Sequence, residues 1–273
     1  MMSNSKTIFD IDFAELYRNH VAQAIRQPKT SDDWDKKAHN MKSGGGCSGV
    51  SYIQDFTSRM DLTDASTLLD VGCGCGTIGL ALASGLEKVY ELDYSPKMLE
   101  VVKERAAEKN IDNYECILKS WDDNWNDVPA CDICVSSRSS MVNDIESALA
   151  KLNSKAKKAV YMTMTVDKDF ISRDILRAIG RDDIGFPTYI YAMNLLYQQG
   201  YRVSVDFLET QNCSSKMLTL DEPSFIEAVQ WSIGTLNEEE IDRLVHYYQK
   251  NQSKLYSEQP MQRAWAFIHW KTH

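Results

Sequence analysis

At 273 residues the chain is long enough for one large α/β domain with insertions or for two small domains, with a substantial core either way. Its 43% hydrophobic and 25% charged content is that of an ordinary globular protein. No apolar run approaches the roughly 20 residues that cross a bilayer, and the opening MMSNSKTIFDID lacks the apolar core of a secretory signal, so neither a membrane partner nor export is expected. With 30 basic against 39 acidic side chains, a net charge of −9 opposes a nucleic-acid partner and favours a small molecule.

Residues 1–57 combine a helical stretch, Phe13–Ile25, with a polar linker and the run SGGGCSGVSY, whose glycines at 44–46 and 49 suit a mobile loop. From residue 66 short β-like runs alternate with helical stretches, the pattern of a mostly parallel sheet covered on both faces. The expected strands are Ser66–Val71, Lys88–Asp93, Tyr114–Leu118, Cys131–Ser137 and Ala159–Thr165. A helix is expected over Thr77–Gly85, and a second after Ser95, which can cap it; Pro96 suits its first turn, and Met98, Leu99, Val102 and Ala106 form its inward face. Residues 167–187 then separate the fifth strand from a helix closed by Gly200, and two further strands are Tyr201–Glu209 and Ala264–Trp270. Residues 221–260 read as two helices. Phe225, Ile226, Val229 and Ile233 face inward on the first; the second is capped between Thr235 and Asn237, with Ile241, Leu244, Val245 and Tyr248 inward.

Seven scattered cysteines, an odd number, fit reduced thiols in a cytoplasmic protein. Cys131 and Cys134 form a C-x-x-C, but inside CDICVSS, a buried-strand pattern where a metal knuckle needs a turn, so they are expected to pack as small hydrophobes. The histidines at 20, 39, 246, 269 and 273 have no ligand-like spacing, and no metal is expected.

The run LLDVGCGCGTIG, residues 68–79, carries the chemistry. A strand ends at Asp70, and the chain passes through Gly72, Cys73, Gly74 and Gly76 into a helix. Missing Cβ atoms let such a backbone turn sharply and approach a ligand closely, and free N–H groups at a helix start favour polar or anionic groups. Asp93 ends the next strand, about 20 residues on, where a carboxylate can accept both hydrogen bonds of a ribose diol. Together they describe a nucleoside site. Gly74, Gly76 and Gly79 also spell the dehydrogenase pattern G-x-G-x-x-G, but a carboxylate at Asp70 would repel a pyrophosphate while it can orient the loop and, through water, face an ammonium group.

Through D-x-G-x-G-x-G (Asp70, Gly72, Gly74, Gly76) and LDYSPKMLE around Asp93, residues 66 to 165 resemble the class I S-adenosylmethionine-dependent methyltransferases. The resemblance implies an α/β, Rossmann-like, doubly wound sheet of seven strands, mostly parallel, with an antiparallel last strand inserted between the fifth and sixth and with helical lid insertions. It implies one domain over 1–273: an N-terminal helical lid (1–57), a cofactor-binding core (58–166), the second half of the sheet (167–220), a helical insertion (221–260) and the last strand (261–273). S-adenosylmethionine would be the cofactor and S-adenosylhomocysteine the product. Gly72 to Gly76 would pass under the methionine part, Asp93 would hold the ribose, and Tyr94 and Met98 would flank the adenine. After the third strand the family places an acid at the adenine amino group; here Ser120 stands there, followed by Trp121 and Asp122, a departure.

After the fourth strand SSRSSM, residues 136–141, replaces the N/D-PP-Y/F run of nucleobase and glutamine methylation, which removes support for those acceptors. Ser136 and Ser137 would lie beside the sulfur, and Arg138 could clamp an anionic substrate or bind a surface carboxylate. Trp34 and Tyr52 in the lid could enclose the sulfonium or staple the lid, and Tyr189 and Tyr191 could reach the substrate mouth or belong to the core. The expected function is methyl transfer to a small molecule or biosynthetic intermediate, with a protein or RNA methyltransferase, or a non-catalytic cofactor-binding regulator, as alternatives. No catalytic base is identified.

Overall fold

The computed structural model describes residues 7–24, 28–42, 50–182, 184–210, 221–257 and 263–272. Seven strands, β1 (Thr67–Val71), β2 (Lys88–Asp93), β3 (Tyr114–Leu118), β4 (Cys131–Ser137), β5 (Ala156–Thr165), β6 (Ser204–Thr210) and β7 (Arg263–Lys271), form one sheet. Its order is β3-β2-β1-β4-β5-β7-β6. Neighbours pair in parallel except at β7, which runs antiparallel to both β5 and β6. Every other strand therefore ends at one common edge, and β7 begins there.

Among the described residues ten α-helices accompany the sheet: α1 (Phe13–Gln23), α2 (Ser31–Lys42), α3 (Val50–Ser58), α4 (Gly79–Leu82), α5 (Pro96–Glu108), α6 (Ile145–Lys155), α7 (Arg173–Ile179), α8 (Tyr189–Gln198), α9 (Glu222–Ile233) and α10 (Glu238–Ser257). Because strand side chains alternate between faces, the continuous apolar runs feed two cores. On one face Leu68, Ile133, Val135, Tyr161 and Phe267 meet Tyr52 and Phe56 of α3. On the other Leu69, Cys134, Val160, Met162 and Ile268 meet Leu149 of α6, Leu196 of α8 and Tyr17 of α1. Cys131 and Cys134 are buried in β4, as expected of structural thiols, and the five described cysteines are free. Cys47 and Cys213, His39 (side chain) and His273, and the glycine-rich stretch 43–49 lie outside the described residues.

The structure departs from the expected element pattern in several places. The helix α3 begins at Val50, inside the run SGGGCSGVSY read as a loop. The polar linker contains a helix, α2: Thr30 and Asp33 cap it reciprocally, the Thr30 N–H donating to Asp33 Oδ2 (2.9 Å) and the Asp33 N–H to Thr30 Oγ1 (3.3 Å). Thr77–Gly85 forms only one α turn, α4, followed by a 3₁₀ turn over Ala83–Gly85. The sixth strand starts at Ser204 because the Tyr201 N–H closes α8 on the Leu196 carbonyl (3.0 Å), with Gly200 left-handed at φ +90°. Residues 167–187 contain α7, which buries Ile175, Leu176 and Ile179 against Phe225, Val229, Leu244 and Tyr248 in a separate core with α9 and α10. Ile226, Ile241 and Val245, expected inward on those helices, are only half-buried. Asn237 and Glu240 cap α10 reciprocally at 2.8 and 2.9 Å, inside the expected cap region.

Candidate cofactor and acceptor site

At the carboxyl edge β1 leads into a turn in which Gly72, Gly74 and Gly76 all have left-handed backbones, φ +66°, +56° and +68°. The Gly72 and Cys73 N–H groups donate to the Leu92 carbonyl (2.8 and 3.0 Å), which ties the turn to β2. A Cβ on Gly72 would lie 2.3 Å from Ser139 Cβ, whereas one on Gly74 would meet no atom of the described residues within 4 Å. Among the described residues the turn is thus packed from behind at Gly72 and bare in front at Gly74, the shape needed for an extended ligand lying on backbone.

Asp93, at the end of β2, is buried beside this turn and accepts from the Gly74 N–H (2.8 Å) and the Ser95 N–H (2.9 Å). A carboxylate has about four acceptor positions, so hydroxyl donors can still be received. Burial raises its pKa, against three backbone N–H groups that lower it. Asp70 lies deeper, its Oδ2 accepting from the Gly79 N–H (3.0 Å), which pins the start of α4 to β1.

Beside Asp70 in the β1–β2 register stands Glu91, a buried acid that the sequence pattern did not single out. No N–H or O–H group among the described residues reaches either of its oxygens. Burial pushes the Glu91 carboxyl well above the ordinary range, Asp70 pushes it further, and the Cys73 thiol opposes this. Burial likewise pushes Asp70 up to about 7, against the Gly79 N–H. A folded pKa above the unfolded one means that the native state holds protons the unfolded state releases, so this stabilisation is full below about pH 4 and is lost as pH rises through about 7. The cofactor-free protein should therefore melt at lower temperature as pH goes from 5 to 8, and Glu91→Gln should flatten that slope. Thermal melts of both proteins across the range check it; equal slopes would dismiss the pair as the cause.

The adenine candidates divide. Tyr94 is engaged by the segment before and within α2: its hydroxyl donates to the Lys29 carbonyl (3.0 Å), and Ser31 Oγ donates to its carbonyl (3.0 Å). Asp35 of α2 accepts from Ser95 Oγ (2.5 Å) and the Lys97 N–H (3.2 Å), so α2 sits on the start of α5. Met98 is buried beneath it with Ala38, Cys75 and Val101, and Trp34 and Met41 pack on the same cluster. Ser120 organises a turn, its Oγ accepting from the Asp122 and Asp123 N–H groups (both 3.2 Å). Trp121 stacks on Trp125 and donates to the Ser139 carbonyl (3.0 Å), which brings it to the residue behind Gly72, while Asp122 is exposed.

Past β4, Ser136 is buried and shares a hydrogen bond with Ser139 Oγ (2.8 Å), which donates on to the Val71 carbonyl (2.7 Å). Tyr52 of α3 places its hydroxyl between Ser137 Oγ (2.8 Å) and Thr163 Oγ1 (3.1 Å); burial raises its pKa and the Arg138 charge lowers it. Arg138 has a left-handed backbone, φ +56°, and its guanidinium lies 4.5 Å from the Tyr52 ring centre. Trp34 packs edge-on to Trp231 of α9 (5.3 Å), a ring also approached by Lys29 and Lys37, so α2 is joined to the helical insertion. Tyr189 meets Phe207 of edge strand β6 (5.8 Å), and no hydrogen bond or ring contact among the described residues joins it to Tyr52. Tyr191 accepts or donates at His20 Nδ1 (2.9 Å), linking α8 to α1.

A methyltransferase-domain family model matches residues 62–175. An uncharacterized protein of Haemophilus influenzae is 36% identical over 97% of this chain and 98% of its own. An uncharacterized RNA methyltransferase of Listeria innocua is 38% identical over 60 residues, 22% of this chain and 13% of that protein. Among solved structures, coclaurine N-methyltransferase bound to N-methylheliamine and S-adenosylhomocysteine shares the fold at a TM-score of 0.54 and 14% identity, over 97% of this chain and 96% of that one. No helix among the described residues is long and apolar enough to cross a membrane. The seven-stranded order with its antiparallel β7, the bare glycine turn and these matches place the chain in the class I S-adenosylmethionine-dependent methyltransferase family, with S-adenosylmethionine as its methyl donor.

Proposed function

We propose that this enzyme methylates a small molecule held between the carboxyl edge of the sheet and the helices above it. The carrying observation is the continuity of that cover: α2 bonds to Tyr94, Ser95 and Lys97 on one side and meets Trp231 and Glu227 of α9 on the other. Tyr17 of α1 reaches the Val142 carbonyl beyond β4 (2.7 Å), and Tyr52 of α3 reaches Ser137 and Thr163. A covered edge suits an acceptor that enters whole, and the net charge of −9 works against a polyanion.

Bound S-adenosylmethionine supplies a methyl group already activated on a sulfonium. The chain's own task is to bind, align and exclude water. In this reading Gly72, Cys73, Gly74 and Gly76 carry the methionine part with Asp70 fixing the turn, and Asp93 receives the ribose hydroxyls. Tyr94, Met98, Ser120, Trp121 and Asp122 surround the adenine side, and Ser136 stands at the sulfur end. Tyr52, held by Ser137 and Thr163, keeps α3 closed over the acceptor side.

Incubation with methyl-labelled cofactor, a metabolite extract and total RNA tests the reading. Label is expected in the small-molecule fraction; label in RNA alone would overturn it.

A further inference from the structure

Around Arg138 four separate segments converge at the carboxyl edge. Arg138 follows β4, Tyr52 belongs to α3, Trp265 opposite Thr165 opens β7, and Phe170 lies in the connection after β5. The guanidinium carbon is 4.5 Å from the Tyr52 ring centre and 5.9 Å from that of Trp265. Phe170 continues the wall, 6.4 Å from Trp265 and 5.2 Å from Phe186.

The backbone beneath is fixed in a costly shape. At φ +56° a long side chain is disfavoured where glycine or asparagine would be cheap, and the Arg138 N–H is held there by Thr163 Oγ1 (2.9 Å). Thr163 also binds the Tyr52 hydroxyl, so one threonine fixes both the ring and the arginine that lies over it. A packing role alone gives no reason for a cation at a left-handed position. Aromatic rings against a guanidinium displace water from its faces, and its planar N–H fork is matched in shape to a pair of planar oxygens. Such a group recognises the planar oxygens of a carboxylate or phosphate.

We propose that Arg138 is the specificity residue for the acceptor, which carries a carboxylate or phosphate docked on its guanidinium and a flat apolar body along Trp265 and Phe170. This inference rests on the small-molecule reading above and narrows it to anionic acceptors. Tyr52 and Thr163 act as positioning residues.

The test uses the full chain saturated with S-adenosylhomocysteine and three probes: benzoate, phenyl phosphate and neutral benzamide, titrated by ligand-observed NMR. At least one anion should bind tenfold or more tightly than benzamide, and the better of the two identifies the docking group. Arg138→Gln should erase that preference, and Arg138→Lys, whose melting temperature verifies folding, should retain part of it. Equal affinity for benzamide, no binding of either anion, or a preference that survives in Arg138→Gln would overturn the assignment. A labelled product that proves neutral or cationic would overturn it too while leaving the small-molecule reading intact; label in RNA alone defeats both.

Discussion

Asp93→Ala should weaken S-adenosylmethionine binding by about 1.5–3 kcal/mol, the scale of hydrogen bonds to a charged group, or roughly 10- to 150-fold. The carboxylate is already tied to the Gly74 and Ser95 N–H groups, so it is rigid before any ligand arrives and spends no side-chain entropy on binding. Its loss acts twice. Two hydroxyl donors lose their acceptor, and the Gly74 N–H, at the bare front of the turn, loses the bond that orients it. Calorimetric titration with S-adenosylhomocysteine measures the sum. An unchanged dissociation constant would mean that the ribose lies elsewhere, and the placement of the whole cofactor along β1 and β2 would fall with it.

The strands and the glycine turn were legible because their signals are local. β1, β4 and β5 each hold a short, mostly apolar run that is buried at consecutive positions, as covering on both faces requires, and their limits follow those runs within a few residues. Left-handed glycines are likewise a requirement of the turn itself. What escaped the pattern depends on distant partners. SDDWDKKAHNMK shows only a thin inward stripe of Trp34, Ala38 and Met41; it is held as α2 by Asp35 on the start of α5, about 60 residues away in sequence. Ser139 was one serine in a polar run until the fold set it behind Gly72. Glu91 and Trp265 were read simply as parts of strands, and nothing local marks the first as a buried acid that no N–H or O–H group among the described residues reaches, or the second as a wall beside Arg138. Tyr52 and Arg138 were each visible as candidates, but their stacking is a product of tertiary structure. Tyr189 was a candidate for the substrate mouth or for the core, and its ring packs on Phe207 of the edge strand, a partner that the local sequence does not announce.

The strongest separation of folding from binding comes from two neighbouring glycines. Gly72→Ala and Gly74→Ala carry similar backbone strain, since both φ angles are left-handed, at a cost of about 1–2 kcal/mol each. They differ in what the new methyl meets. At Gly72 it would overlap Ser139 Cβ at 2.3 Å, and Ser139 cannot retreat without breaking its bonds to the Val71 carbonyl and Ser136 Oγ. Gly72→Ala should therefore destabilise the apoprotein by about 3 kcal/mol or more, strain and overpacking together, and abolish cofactor binding as the turn shifts. At Gly74 the methyl meets no atom of the described residues, so the apoprotein should melt only a few degrees lower. If that space is where the methionine part lies, Gly74→Ala should still lose cofactor affinity by about 100-fold, because a buried overlap leaves the ligand no alternative course over the turn. Melting curves and cofactor titrations on the two variants read the two effects apart. A Gly74→Ala protein that folds and binds S-adenosylhomocysteine normally would show that the bare front of the turn faces solvent in the complex.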